Sequence, residues 1–148
     1  MSNKGLDMSS VLSKFIDIGD SELEIINTAI GLTHQVTPID GSQLFARMES
    51  VVSVSDDLEW IINSITRKRN TKENEIRKIK DPKYVALVRQ GRPSSAAIEA
   101  EIRISLKDIR DEEELIQLVD SITDYLKFVQ RNLDKYLSIL KLKAQFMK

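Results

Sequence analysis

Ten of the chain's 22 lysines and arginines fall between residues 67 and 92, at Arg67, Lys68, Arg69, Lys72, Arg77, Lys78, Lys80, Lys83, Arg89 and Arg92. Only three carboxylates, Glu73, Glu75 and Asp81, share that stretch. Cations gathered this way neutralise phosphates, and binding releases the counterions condensed on a nucleic acid. A single strand also presents bases that stack on flat side chains, and Tyr84 lies inside the segment to supply one such surface. The chemistry such a track suits is contact with a single-stranded nucleic acid. A competing reading is a solvated helix face neutralised from within: in an antiparallel hairpin, Asp111 to Glu114 lies opposite Arg77 to Lys80. A basic face for anionic membrane is a third, but bulky apolar side chains are missing opposite the cations near Lys68 to Glu75.

Other chemistries find little support. The chain has no cysteine, which excludes disulfides, thiolate catalysis and cysteine-ligated clusters. His34, the single histidine, has no carboxylate three or four residues on to orient it, and reads as a surface or helix-end residue. Asp56, Asp57 and Glu59, like Asp111 to Glu114, lack the glycine and alternating oxygens of a calcium loop and read as helix caps. No phosphate-binding glycine loop, nucleophile elbow, HExxH or kinase signature occurs. We expect no catalytic residue, no metal and no cofactor, hence a protein that is not an enzyme.

The net charge of −1 conceals a segregation. Residues 1 to 66 hold three Lys/Arg against ten Asp/Glu, a net of −7, and residues 67 to 92 hold ten against three, a net of +7. Residues 93 to 148 come to −1, nine against ten, so the surplus positive charge is confined to one segment. No apolar run is long enough to span a membrane and no secretory h-region opens the chain, so a cytoplasmic protein is expected.

The elements that must carry the basic segment are helices. Three prolines and five glycines in 148 residues, with 41% apolar and 30% charged residues, favour an all-α chain able to bury a core. Residues 1–42 read as an acidic unit of two short helices, the first from Ser10 to Gly19 and the second capped by Asp20 or Ser21. Residues 43–148 read as an elongated helical hairpin or bundle. Its first arm carries a stripe at Leu44, Met48, Val51, Ser55, Leu58, Ile62, Ile65, Arg69, Lys72, Ile76 and Ile79, alternating steps of four and three. Arg69 and Lys72 interrupt it as though the helix leaves its partner for two turns. Pro82 is expected to end this arm, and Ser55-Asp56 offers an alternative, earlier break. After a turn at Gln90 to Ser95 and a short helix, Asp111 caps a long amphipathic helix reaching Phe146. Its stripe, Leu115, Val119, Ile122, Leu126, Val129, Leu133, Tyr136 and Leu140, has no polar interruption. A second, partial stripe at Leu118, Tyr125, Phe128 and Ile139 widens the face, and the two together predict a homo-oligomer. Trp60, Phe15, Phe45, Phe128 and Phe146 read as core or interface packing.

An acidic N-terminal part, the basic segment, the turn Gln90-Gly91-Arg92-Pro93, the run Ser94-Ser95-Ala96-Ala97-Ile98-Glu99-Ala100-Glu101, and Asp111-Glu112-Glu113-Glu114-Leu115 opening a long helix resemble the phage recombination mediator proteins of the UvsY type. The likeness covers roughly residues 60 to 146. It implies binding of single-stranded DNA, ring assembly, and loading of a RecA-like recombinase onto DNA coated by single-strand-binding protein, in a host cytoplasm. It further implies that Arg67 to Arg92 contacts DNA and that the Asp111 to Phe146 helix assembles the copies. The chain departs from the pattern in having only Tyr84 where the family's basic arm carries an aromatic pair, and in the reduced ending Lys141-Leu142-Lys143-Ala144-Gln145-Phe146.

Overall fold

A computed structural model describes residues 7–38, 40–91 and 94–146. Among these residues every regular element is helical. Asp7 caps α1 (Met8–Ser10), its carboxylate accepting from the Ser10 N–H at 2.8 Å. The chain continues as a π-helical turn, Val11–Phe15, closed by Asp17 in the left-handed region at φ 57°, which aspartate tolerates better than most residues. Next, α2 (Asp20–Leu32) starts where the Gly19 N–H donates to the Glu22 carboxylate. His34 is exposed in the turn that follows.

α3 (Gly41–Arg89) is a single helix of 49 residues, about 74 Å at 1.5 Å per residue. Asp40 caps it by accepting from the Ser42 hydroxyl and N–H, both at 2.7 Å, and these bonds hold its carboxyl below the usual range. The cap is therefore intact above that range and is lost as the pH falls through the lowered value. Ser55-Asp56 is no break. Asp56, Asp57 and Glu59 are exposed in the middle of the helix and cap nothing, a correction to the sequence reading.

Pro82 does not end α3 either. It removes one backbone donor, but the turns beyond it are held because Leu87 is buried with Ile98 and Ile102. Pro82 is exposed, so Pro82→Ala restores a helical hydrogen bond with no packing lost. We expect a gain of about 1–3 kcal/mol by urea unfolding, reduced by the greater freedom alanine gives the unfolded chain.

A turn with Gly91 at φ 80° leads to α4 (Ser95–Ser105), whose cap Ser94 accepts from the Ala97 N–H. α5 (Lys107–Gln145) starts four residues earlier than the Asp111 cap predicts, because Ile109 is buried with Ile76 and Ile116 and draws an extra turn onto α3. Leu106, at φ −122° and ψ 73°, separates α4 from α5 and offers no side-chain cap.

Three side-chain pairs fix α3 and α5 as antiparallel: Arg47 with Tyr136, Arg69 with Asp120, and Lys80 with Glu113. Between them lies the main core, in which Leu44, Val51, Leu58, Ile62 and Ile65 of α3 share a cluster with Val119, Leu126, Val129, Leu133 and Leu140 of α5. Val11, Leu12, Ile16, Ile18, Ile26, Ala29 and Leu32 of the N-terminal helices join the same cluster. The α5 stripe expected to assemble copies thus has its partners inside the chain, with Leu115, Ile122 and Tyr136 packed at its margin. Of the aromatics expected in core or interface, Phe15 packs against the core, while Trp60, Phe45, Phe128 and Phe146 are exposed on the single chain.

Candidate nucleic-acid interface

The basic segment occupies the second half of α3, and the hairpin register decides which of its cations have partners. Arg69 sits on the buried stripe at the level of Asp120, donating from Nε and Nη2 to the two carboxylate oxygens at 2.9 and 3.1 Å. Its Nη1 lies 3.0 Å from Glu73, and these partners raise the guanidinium pKa, the hydrogen bond to Asp120 contributing most. Arg77 shares Glu73 at 3.3 Å. Lys72 pairs with Glu75 at 3.7 Å and stands over the Phe15 ring, 5.2 Å from its centre. The expectation that α3 leaves its partners at Arg69 and Lys72 is therefore corrected, since both side chains contact neighbouring elements there.

Lys68 donates to the Asp17 carbonyl at 2.6 Å, an acceptor presented by the left-handed turn. Lys80 is largely buried between α3, α4 and α5, donating to Glu99 at 3.1 Å and Glu113 at 3.0 Å. Burial alone lowers an ammonium's pKa, but the two carboxylates outweigh it and the value ends above 10.5. The ion pairing is accordingly complete below that pH and is lost as the pH rises through the raised value. Glu113 Oε1 is buried without a hydrogen-bond partner, which makes the cation beside it more important. We expect Lys80→Met to cost about 1–3 kcal/mol in urea unfolding at neutral pH, by leaving the partly buried Glu113 carboxylate without its cation.

Arg69, Glu73, Arg77, Lys80, Glu113 and Asp120 line a cleft of about 320 Å³ between α3 and α5. Its three cations and three anions neutralise one another, so it presents no charge surplus to a ligand. No group of metal-ligating side chains occurs among the described residues.

Arg67, Lys78, Lys83 and Arg89 are exposed and have no ion-pair partner among the described residues. Arg92 lies outside the described residues. Arg67, Lys78 and Arg89 stand eleven residues apart in sequence. Eleven residues is close to three full helical turns, so the three side chains form one line on α3, about 16 Å between neighbours. The residues between them on that line, Thr71, Asn74, Pro82 and Val85, are exposed and carry no charge. The line lies opposite the buried stripe. Lys83 points elsewhere, and Tyr84 is half-buried, its hydroxyl 3.1 Å from the Ser95 hydroxyl.

No family model, curated protein or solved structure matches this chain. The partners that sequence reasoning missed are Asp120 and Glu99. Their charges were visible, but only the register of α5 and the docking of α4 bring them to Arg69 and Lys80. Among the described residues no helix is long and apolar enough to cross a membrane.

Proposed function

We propose that the chain is a non-enzymatic, single-stranded-DNA-binding recombination mediator that assists loading of a RecA-like recombinase. The observation that carries the DNA contact is the line Arg67, Lys78 and Arg89: three exposed cations, without carboxylate partners among the described residues, on one continuous helix. Such a line follows a flexible polyanion without reading its sequence. The recombinase and the single-strand-binding protein as partners rest on the resemblance of residues 60 to 146.

A second reading is a coiled-coil adaptor or assembly chaperone without nucleic-acid binding. It is favoured by a seam on the outside of α5, where Tyr125, Phe128, Asn132, Lys135, Ile139, Leu142 and Phe146 alternate steps of three and four. Tyr125, Phe128, Ile139, Leu142 and Phe146 are exposed, and a polar pair within an apolar seam is a device that sets register between helices. In a mediator the same seam joins the copies.

Affinity for an oligothymidylate at two salt concentrations separates the readings. The mediator binds at low salt and weakens steeply as salt rises. An intact chain that binds no oligonucleotide at low salt contradicts it and leaves the adaptor.

A further inference from the structure

Single-strand binding uses a flat surface for base stacking beside the cations. The outward line of α3 carries no aromatic ring, since its intervening residues are Thr71, Asn74, Pro82 and Val85. The aromatic residue of the basic segment is Tyr84, and α4 holds it. Its hydroxyl is bonded to Ser95 at the start of α4, and its ring packs against the cluster of Leu87, Ile98 and Ile102. Lys80, one turn before Tyr84, is held by Glu99 of the same short helix at 3.1 Å. One element thus covers both a stacking surface and a cation.

The seat of α4 is small and its two ends are breaks in the helical backbone. Among α4 residues, Ile98 and Ile102 are the buried apolar contacts on α3. Gly91, at φ 80°, precedes α4, and Leu106 interrupts the helix after it. The main cluster that joins α3 to α5 includes no residue of α4, and Leu106 links the α4 cluster only to the smaller one of Ile76, Ile109 and Ile116, so lifting α4 leaves the main hairpin core intact.

We propose that α4 is an autoinhibitory strap over Lys80 and Tyr84 that a single-stranded polyanion displaces. This rests on the DNA-binding reading above. A phosphate replaces Glu99 at the Lys80 ammonium, which keeps Glu113 of α5, and a base takes the Tyr84 face that α4 vacates. The closed form lowers the apparent affinity by the fraction of chains in which the strap is down.

The test is hydrogen exchange on the full chain with and without an oligothymidylate, together with oligonucleotide affinity of Ile102→Ala, which loosens the strap without changing charge. Binding is expected to strip protection from the amides of residues 98–105 while those of residues 58–65 keep theirs. The variant is expected to bind on the order of tenfold tighter, as a closed fraction is relieved. If the intact chain binds the oligonucleotide but residues 98–105 stay equally or better protected, the strap is wrong and the DNA reading stands. Unchanged or weaker binding by a folded Ile102→Ala chain likewise overturns the strap alone. Absence of binding by the intact chain at low salt removes both.

Discussion

Leu126→Ala is expected to lower the unfolding free energy by about 2–5 kcal/mol, the range for truncating a fully buried leucine. Leu126 is wholly inaccessible to solvent and belongs to the cluster that holds α3, α5 and the N-terminal helices together. Truncation there removes volume from a close-packed core, and the surrounding helices relax only partly into the space left. Phe128→Ala, two residues further along α5, removes a larger side chain that is half-exposed. Its cost is expected to be less than about 1 kcal/mol, as for surface substitutions generally. Urea unfolding of the two variants checks both values, and an equal cost for the two contradicts the assignment of inner and outer faces on α5.

Replacing Arg67, Lys78 and Arg89 together by alanine is expected to weaken oligothymidylate binding on the order of a hundredfold at 0.1 M salt, with the fold unchanged. The magnitude follows from losing three phosphate contacts, each contributing about 0.7 to the logarithmic salt dependence of single-strand binding. Stability should hold because none of the three takes part in an ion pair among the described residues. Arg69 and Lys80 behave in the opposite way. Both are tied to carboxylates from other helices, so their removal costs stability, and Lys80 is open to a ligand only where α4 lifts. Charge alone does not rank these residues; the presence of a partner does.

Much of the fold is legible in the sequence because the apolar stripes are long. The uninterrupted run from Leu115 to Leu140 marks the inner face of α5, and Leu44 to Ile65 marks that of α3. Local signals mislead where tertiary contacts outweigh them. Pro82 is a helix breaker by its own chemistry, yet burial of Leu87 beyond it carries α3 on to Arg89. The acidic run at Asp111 looks like a helix start, yet Ile109 finds a buried seat and the helix begins at Lys107. Arg69 looks like a gap in the stripe because its partner, Asp120, lies 51 residues away.

The candidate site was legible as a segment and illegible as a surface. Composition places ten cations between residues 67 and 92. Which of them face solvent unpaired depends on where α4 and α5 lie, and no local pattern encodes that. The eleven-residue spacing of Arg67, Lys78 and Arg89 was available throughout. It acquires meaning only once α3 is known to run unbroken past Pro82.

The central claim is that this outward line holds single-stranded DNA. Its most direct test is the slope of log affinity for an oligothymidylate against log salt concentration, measured for the intact chain and for the chain with Arg67, Lys78 and Arg89 all changed to alanine. The slope is expected to flatten by about 2, three contacts at roughly 0.7 each. Equal slopes for the two chains contradict the claim.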